Sequence, residues 1–356
     1  MDLSARVERV CSTLAGAEVD ALLVTNLTNV RYLTGFSGTN GQVLVHSDGA
    51  VFFTDPRYEA RASQLVQGAE VVIYPARLTD LLGERLSAMG VDTLGVEGSM
   101  TLAECDELHG SLGRELVTTT GIVEKLRRTK DADEIALLRE AIRIGDEAFA
   151  WTLDRLVPGV SERGVALDLE IRMRQDGADG VSFPPIVGSG PLSAHIHHTP
   201  SERKFEKGDL VLLDFGCTFE GYCSDLTRTV VLGPASDDQI ELYRLVLEAH
   251  NAGLASVAPG TKGSEVDSAA RAVIESAGHG DHFGHGLGHG VGLDIHEAPR
   301  LHRISEDTLA PGDVVTVEPG VYVPGTGGVR IEDCVVVTDS GAEVLGSAPK
   351  DRLIEL

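Results

Sequence analysis

Cysteine is scarce in this chain of 356 residues, and none of the five cysteines forms the closely spaced pairs that are typical of a zinc site. Their odd number and scattered positions do not fit a disulfide framework either, so we expect reduced thiols. The first residues also lack the basic and then apolar segments of a secretory signal. We therefore expect a cytoplasmic protein.

Long hydrophobic runs and basic residues are also in short supply. No apolar run approaches the roughly 20 residues that a membrane-spanning helix needs. Lys and Arg number 30 against 55 Asp and Glu, which gives a formal net charge of −25. This acidic balance argues against nucleic acid or an anionic membrane surface as the main partner. The length favours two domains, or one large one, with enough residues for a sizeable core.

The first third of the sequence alternates between helical and extended patterns. Apolar residues recur at helical spacing in the opening segment, at Val7, Val10 and Leu14. Short apolar runs predict strands that begin at Ala21, Gln42, Val51, Glu70 and Thr93. Residues 1–122 are therefore predicted to form a small α/β domain.

Residues 123–356 are predicted to form a second domain, which begins with a long amphipathic helix. Asp131 or Asp133 can cap the start of this helix. Its apolar residues share one face: Ile135, Leu138, Ile142, Gly145 and Phe149. Three more helices are predicted over residues 161–175, 237–257 and 264–277. The chain between and after them is rich in glycine and in β-forming residues.

Residues 209–233 have the pattern of a β-hairpin that carries two aspartates. Asp214 and Asp225 are equidistant from the point between Phe219 and Glu220, where the turn is expected. A symmetric pairing about that point would place the two aspartates directly opposite each other, on one face of the sheet. Asp214 interrupts an otherwise apolar strand, and a buried carboxylate is costly unless it is paired or bound to a cation.

A second hairpin near the end of the chain carries two glutamates in the same arrangement. Glu318 and Glu332 are equidistant from Gly325, which lies in the turn-forming string PGTGG. Solvated charges on edge strands would explain either pair of carboxylates alone. Four carboxylates in two matching hairpins instead indicate one site built across a pseudo-symmetric sheet.

Five histidines lie between the two hairpins, in the glycine-rich string GHGDHFGHGLGHGVGLDIHE. Alternating glycines make this segment a poor helix but suit a strand that another backbone approaches closely. A neutral imidazole nitrogen of His289 would complete an oxygen-rich metal site, and such ligands favour Mn²⁺ over a thiolate-type zinc site. We include His285 and His296 in the site and interpret His279 and His282 as structural.

The number of metal ions follows from the charge of the four carboxylates. Two divalent ions would balance these carboxylates, whereas one ion would leave a buried excess of negative charge. A two-metal site also clamps a substrate and lowers the pKa of a bridging water, which supplies hydroxide at neutral pH.

These residues lie in strings that resemble those of the pita-bread metallopeptidases, a family that includes methionine aminopeptidases, Xaa-Pro aminopeptidases and prolidases. The strings are LLDFG, SDLTRT, GHGLGHGVGLDIHE, VEPG and GGVRIED. The segments NVRYLTGFSGTN and FFTDPRYEA resemble a creatinase-type N-terminal domain, which methionine aminopeptidases lack. The resemblance implies an α/β N-terminal domain, followed by an α+β pita-bread catalytic domain with a pseudo-two-fold symmetric, antiparallel-rich sheet.

The resemblance also implies which residues bind the two metal ions. Asp214 would bind one ion, and His289 and Glu318 would bind the other. Asp225 and Glu332 would bridge both ions. Glu318 would in addition act in catalysis, as the proton shuttle for the bridging water.

Further residues would contact the substrate if the resemblance holds. His296 would bind the scissile carbonyl and its tetrahedral intermediate. His197, in preference to its neighbour His198, matches the upstream catalytic histidine. His285 resembles a histidine that lines the substrate pocket beside the metals. Arg330 would bind in the same region and support the metal-binding carboxylates.

The function that the resemblance implies is that of a dinuclear metal-dependent exopeptidase, in which a metal-bridging hydroxide attacks the carbonyl of an Xaa-Pro bond. The string TDPRYEA is more similar to bacterial Xaa-Pro aminopeptidases, so an aminopeptidase is the first expectation and an Xaa-Pro dipeptidase (prolidase) is the alternative. A creatinase or a non-catalytic binding protein on the same fold would lack some of these ligands or histidines.

The resemblance and the ligand types also bear on the metal, the substrate and the assembly. We expect Mn²⁺, and Co²⁺, Zn²⁺ and Fe²⁺ stay open because the order of affinities does not settle selectivity. The expected substrate is a peptide with Pro at the second position. Because the family is commonly dimeric, we expect a homodimer.

Overall fold

The computed structural model describes residues 1–356, which divide into two units, Met1–Arg127 and Arg128–Leu356. The domain boundary that the sequence places after residue 122 stays a prediction. Among the helices, none has the combination of length and apolar character that crossing a bilayer requires.

The first unit is built on one six-stranded sheet. Its elements are α1 (Leu3–Leu14), β1 (Ala21–Val24), α2 (Leu27–Thr34), β2 (Gln42–His46), β3 (Gly49–Thr54), α3 (Glu59–Leu65), β4 (Glu70–Ile73), α4 (Leu78–Ala88), β5 (Leu94–Glu97), α5 (Leu102–Leu112), β6 (Leu116–Thr119) and α6 (Ile122–Arg128), of which α6 ends in the second unit. The strand order is β4-β3-β2-β1-β5-β6. The pairs β1–β2 and β2–β3 are antiparallel, and the other three are parallel. Parallel neighbours need helical crossovers, so the predicted α/β class is confirmed.

The second unit consists of four main helices and several sheets whose strand pairs are antiparallel except for β12–β20. Its elements are α7 (Ala132–Leu153), α8 (Glu162–Gln175), β7 (Gly180–Val181), β8 (Ile186–Ser189), β9 (Leu210–Phe215), β10 (Cys217–Phe219), β11 (Tyr222–Cys223), β12 (Leu226–Val231), α9 (Asp237–Ser256), α10 (Gly263–Ser276), β13 (Gly288–Gly290), β14 (Glu297–Leu301), β15 (Val314–Val317), β16 (Gly320–Val323), β17 (Gly327–Arg330), β18 (Asp333–Thr338), β19 (Gly341–Val344) and β20 (Ile354–Glu355). The two larger sheets have the orders β20-β12-β9-β8 and β14-β13-β15-β18-β19.

Each of these two sheets is covered by its own pair of helices. Helices α7 and α8 bury residues such as Phe149 and Leu169 against Leu213 of β9. Helices α9 and α10 bury residues such as Val246 and Ala270 against β15 and β18. Fully burying a Val, Leu or Phe side chain contributes about 1.5–3 kcal/mol. The two carboxylate-bearing hairpins therefore lie on sheets that are each anchored to a hydrophobic core.

Helix α7 begins with a capping box that also contacts the first hairpin. The Asp131 carboxylate accepts a hydrogen bond from the Glu134 backbone, and Glu134 accepts one from the Asp131 backbone in return. The second oxygen of the buried Glu134 carboxylate accepts a hydrogen bond of 2.9 Å from the Tyr222 hydroxyl. Of the two caps that the sequence offers, Asp131 is the one used, and it ties the start of the helix to the hairpin turn.

The predicted register of the first hairpin is wrong by two residues. Its turn consists of Glu220 and Gly221, which both have positive φ, and Phe219 pairs with Tyr222. Asp214 therefore lies opposite Thr227 and not opposite Asp225. The glycine that follows Glu220 suits a two-residue turn with two left-handed positions, which moves the centre of the hairpin by one residue. Side chains two residues apart share a face, so both aspartates still face the same way.

The predicted register of the second hairpin is confirmed. Val317 pairs with Asp333 in the outer ladder, and Gly320 pairs with Arg330 in the ladder next to the turn. Both pairs are symmetric about Gly325. Glu318 and Glu332 lie between the two ladders, where the same register sets them across from each other.

The histidine-rich segment includes strand β13, which is enclosed on both sides by other backbone. A Cβ atom at Gly288 would lie 2.0 Å from the Thr316 carbonyl oxygen, and one at Gly290 would lie 2.3 Å from the Ala298 carbonyl oxygen. The close approach that the alternating glycines predict is thus confirmed, and it places His289 between two residues that tolerate no side chain.

We expect Gly288→Ala to lower the free energy of unfolding by about 1–3 kcal/mol, because the new methyl group overlaps a carbonyl oxygen that cannot move aside. Urea unfolding followed by circular dichroism measures this change. Gly341→Ala is the control, since nothing lies within 4 Å of its Cβ position, and it should shift stability by less than about 0.5 kcal/mol. Equal stability of the two variants would contradict the crowding at Gly288.

Candidate metal centre

A cavity of about 990 Å³ in the second unit contains the predicted site. All five residues predicted to bind metal line it: Asp214, Asp225, His289, Glu318 and Glu332. They come from β9, from the chain just before β12, from β13 and from the two breaks in the second hairpin. Residues far apart in sequence therefore converge on one wall because both carboxylate hairpins and β13 reach it.

Three of the carboxylates are close enough to share metal ions. One oxygen from each of Asp214, Asp225 and Glu332 lies within 4.8 Å of the other two. All three residues have at most a tenth of their surface exposed. Two-metal sites hold their ions about 3.5–4 Å apart, a separation that fits a cluster of this width.

Glu332 has an oxygen atom without any hydrogen-bond partner. Its Oε2 accepts a hydrogen bond of 2.6 Å from the Thr227 hydroxyl, whereas its buried Oε1 has none. An unsatisfied buried carboxylate oxygen is costly. A cation at this oxygen would remove the cost, so the residue fits a metal ligand.

His289 points one ring nitrogen at two carboxylates. Its Nδ1 lies 3.1 Å from the Gly290 carbonyl oxygen, to which it can only donate, so Nδ1 carries a proton. Its Nε2 lies 3.3 Å from a Glu318 oxygen and 3.7 Å from an Asp225 oxygen. A proton or a metal ion must lie between Nε2 and these oxygens. A hydrogen bond that fixes the other ring nitrogen is the usual arrangement of a metal-binding histidine.

The electrostatics of the cluster also fit cations. Burial raises the pKa of Asp225 well above its ordinary value, and the nearby Glu332 and Asp214 carboxylates raise it further. Burial and the Glu318 and Asp214 charges raise the pKa of Glu332 in the same way. Burial raises the pKa of Asp214 as well, although the adjacent Arg330 opposes this effect. One buried arginine does not neutralise four carboxylates, whereas two divalent ions would.

Arg330 connects the carboxylates to a tyrosine that the sequence analysis missed. Its guanidinium donates to Asp214 Oδ2 at 2.5 Å, to the Thr227 hydroxyl at 3.0 Å and to the Tyr322 hydroxyl at 2.8 Å. Arginine is a donor only, so the Tyr322 oxygen accepts from Arg330 and its own proton points elsewhere. It points to Nε2 of His285, at 2.9 Å.

This chain of hydrogen bonds fixes the protonation of His285. Because Nε2 accepts from Tyr322, the ring proton is on Nδ1, which donates to the Gly286 carbonyl oxygen at 2.8 Å. Burial lowers the pKa of His285, in agreement with a neutral ring. Both ring nitrogens of His285 are thereby hydrogen-bonded within the protein. The catalytic and substrate-binding role of His285 stays a prediction.

His296 and His197 both line the cavity and are exposed to it. The His296 ring is perpendicular to that of His289, with 4.3 Å between centroids. Partial burial lowers the pKa of His296, and the charges of His289 and Arg300 lower it further. His198, the neighbour of His197, instead contacts the buried Glu162 carboxylate at 2.8 Å. The two adjacent histidines therefore differ, since only His198 is held by a buried acid.

His279 and His282 do not line the cavity, and their Nδ1 atoms lie 3.0 Å apart.

The cavity has two further features that the sequence analysis did not anticipate. Arg300 pairs with His289 across β13 and β14 and so shares its face. The apolar part of the wall is formed by Phe183, Pro184, Pro185, Ile186 and Ile196.

Comparison with known proteins gives two family matches. Residues 136–339 match the model of metallopeptidase family M24, and residues 6–129 match that of the creatinase/prolidase N-terminal domain. An Xaa-Pro dipeptidase of Pyrococcus furiosus is 34% identical over 350 residues, which are 98% of this chain and 99% of that protein.

Two solved structures are similar over nearly the whole chain. An Xaa-Pro dipeptidase from Bacillus anthracis is 43% identical, with a TM-score of 0.97 and full coverage of both chains. An X-Pro aminopeptidase from Thermotoga maritima is 34% identical, with a TM-score of 0.90 and coverage of 95% of this chain and 98% of that one. The predicted combination of a creatinase-type N-terminal domain with a pita-bread domain is thereby confirmed.

We expect Mn²⁺ binding to release protons, because Asp225 and Glu332 have raised pKa values in the metal-free fold and must ionise to bind a cation. The metal-free protein should lose stability as the pH rises above about 4, where these carboxyls ionise in the unfolded chain but not in the folded one. Added Mn²⁺ should abolish this loss.

Calorimetric titration in two buffers of different ionisation enthalpy measures the proton release, and thermal melts across pH measure the stability. Asp225→Asn removes one of the two carboxyls and should release fewer protons. Binding of Mn²⁺ to the unsubstituted protein without proton release would show that the carboxyls are already ionised.

Proposed function

Because the chain belongs to metallopeptidase family M24, we propose that it is a dinuclear metal-dependent exopeptidase that hydrolyses Xaa-Pro bonds, and that its substrates are Xaa-Pro dipeptides. The observation that carries the proposal is the convergence of four carboxylates and one histidine on a single cavity. The sequence favours an aminopeptidase over a dipeptidase. We reverse that order because relatives named Xaa-Pro dipeptidase match nearly the whole chain, and because the side chain of Arg300 lines the cavity.

We propose that Asp214 would hold one ion, that His289 and Glu318 would hold the other, and that Asp225 and Glu332 would serve both. The oxygen-rich donor set with one imidazole favours Mn²⁺. When bound, two such ions supply hydroxide at neutral pH and polarise the scissile carbonyl. The unpartnered Oε1 of Glu332 supports this assignment, as does the Nε2 of His289, which is directed at the Glu318 and Asp225 carboxylates.

The remaining roles belong to the side chains around the ions. His296, with a lowered pKa, is a neutral imidazole that donates its N–H to the carbonyl oxygen of the substrate. Glu318 would accept a proton from the attacking water and pass it to the proline nitrogen as the scissile C–N bond breaks. His197 contacts the substrate from the cavity wall, and Arg330 orients Asp214 and favours its ionised form against the effect of burial.

The preference for dipeptides is supported by Arg300. It lies on the face of His289, and its charge reaches His296. In an Xaa-Pro dipeptide the free carboxylate belongs to the proline on the leaving side of the scissile bond. An arginine at this wall binds such a carboxylate, whereas in a longer peptide the same group is an uncharged amide. Relatives named Xaa-Pro dipeptidase match over almost the full length.

Two alternative functions predict different outcomes when cleavage of an Xaa-Pro dipeptide and of an Xaa-Pro-Xaa tripeptide is compared. The first alternative is an aminopeptidase, which would cleave the tripeptide; the similarity to an X-Pro aminopeptidase supports it. A non-catalytic binding protein would cleave neither substrate. The homodimer and the cytoplasmic location stay predictions.

The first test is hydrolysis of an Xaa-Pro dipeptide and of an Xaa-Pro-Xaa tripeptide after the metal is stripped and Mn²⁺ is restored. We expect metal-dependent cleavage of the dipeptide only. Arg300→Met should raise KM for the dipeptide roughly 10- to 100-fold, because a hydrogen bond to a charged group contributes about 1.5–3 kcal/mol. Arg303→Met is the matched control, since Arg303 lies just after the end of β14, is exposed and pairs with Glu275.

Cleavage of the tripeptide, alone or with the dipeptide, would identify an aminopeptidase. An unchanged KM in Arg300→Met would remove the carboxylate contact. No cleavage of either peptide with metal bound would discard the proline specificity.

His296→Ala tests the proposed contact to the scissile carbonyl. We expect kcat to fall by about 10²-fold or more, as on loss of an oxyanion donor, while the number of bound metal ions is unchanged. Steady-state kinetics and elemental analysis give the two values. A normal kcat would exclude the role.

A further inference from the structure

A buried ion pair on helix α10 lies behind the histidine-rich segment. Asp267 and Arg271 are four residues apart, and the Arg271 Nε and Nη2 atoms donate to the two Asp267 oxygens, both at 2.8 Å. The two side chains are 0% and 6% exposed. Neither residue lines the cavity. A buried pair of this kind is stable only when its remaining hydrogen-bonding capacity is used.

The remaining capacity of the pair is directed at the backbone of residues 283–287. Arg271 Nη1 donates to the Phe283 carbonyl oxygen at 3.0 Å, and Nη2 donates to that of His285 at 2.7 Å. Asp267 Oδ1 accepts from the Leu287 backbone at 3.0 Å. The guanidinium also stacks on the Phe283 ring, 4.0 Å from its centroid. Three alternate residues of one short segment are therefore fixed by a single ion pair.

Residues 283–287 have no regular secondary structure, although the side chains of Phe283 and Leu287 are buried in the core. They lie between a short 3₁₀ turn, Gly280–His282, and strand β13, and they belong to no helix or strand. Two of the five are glycine, the residue that loses most conformational freedom on folding. The segment nevertheless carries His285 and leads directly into His289. The position of Leu287 also matters to Glu318, whose backbone N–H donates to the Leu287 carbonyl oxygen at 2.8 Å.

We propose that Arg271 is a positioning residue which, together with Asp267, holds His289 and Glu318 in place for one of the two metal ions. The proposal rests on the ligand assignment of the proposed function. Asp214 lies on β9, and Asp225 lies just before β12. Neither strand contacts the ion pair through any of the hydrogen bonds described above. Loss of Arg271 therefore weakens the ion bound by His289 and Glu318 and spares the ion bound by Asp214.

The test is Mn²⁺ titration of the metal-stripped protein, with Arg271→Met, Arg271→Lys and Asp267→Asn beside the unsubstituted chain. We expect the affinity of one ion to fall by about 10- to 100-fold in Arg271→Met, the usual effect of losing a residue that orients a metal ligand. The affinity of the other ion should stay within a factor of two or three. Lysine can pair with Asp267 but cannot span both carbonyl oxygens, so Arg271→Lys should fall between.

Arg172→Met is the control, because Arg172 and Asp176 form an ion pair of the same spacing at the C-terminal end of α8. It should bind both ions normally. Activity gives a second readout, since kcat of Arg271→Lys should recover at saturating Mn²⁺ while KM for the peptide stays unchanged.

Equal weakening of both ions, or of neither, in a folded variant would overturn the proposal. Circular dichroism identifies folded variants, and if Arg271→Met does not fold, the two conservative variants decide on the same criterion. The metal readout is independent of the substrate. A chain that binds two Mn²⁺ but cleaves no Xaa-Pro peptide contradicts the proposed function and leaves the positioning role to be decided by the titration alone.

Discussion

The mutual repulsion of four carboxylates in one buried site is the constraint on which the rest of the second unit depends. Asp214 is the only one of the four that contacts a permanently charged cation, Arg330. Burial and repulsion raise the pKa of Asp225 and Glu332, so the metal-free site favours protons. The fold must hold these groups together against that repulsion, and it does so with two hairpins on sheets that are each packed against a pair of helices.

Support for the site also comes from the side of the strands that faces away from the cavity. Arg228, next to the site residue Thr227, donates to the Glu332 carbonyl oxygen and forms an ion pair of 2.7 Å with the buried Asp333. Lys350 contacts the second Asp333 oxygen at 2.6 Å. The two hairpins are thereby joined to each other directly behind the carboxylates, and a rigid frame of this kind suits a site whose geometry must not relax.

Local sequence patterns predicted most of this arrangement, and the exceptions have physical reasons. The second hairpin has a turn string centred on Gly325, so its register was right. The predicted register of the first hairpin is wrong because its sequence fits two turn positions. Only the left-handed backbone at Glu220 and Gly221 decides between them. Tyr322 was missed because its partner His285 is 37 residues away. Contacts of that separation leave no periodic signal, and the same applies to the bonds from Arg271 to the Phe283 and His285 carbonyl oxygens, which lie beyond the end of its helix.

The pairing of β13 with β14 has a consequence for the thermodynamics of the site. His289, a proposed metal ligand, faces Arg300, a proposed substrate contact, across one register position. Metal binding at His289 and peptide binding at Arg300 would both restrict the same pair of strands, β13 and β14. Linkage then requires reciprocity: whatever factor the metal contributes to peptide affinity, the peptide contributes to metal affinity. If the bound metal raises the affinity for the peptide, as the proposed function requires, an empty cavity releases its metal more readily than an occupied one.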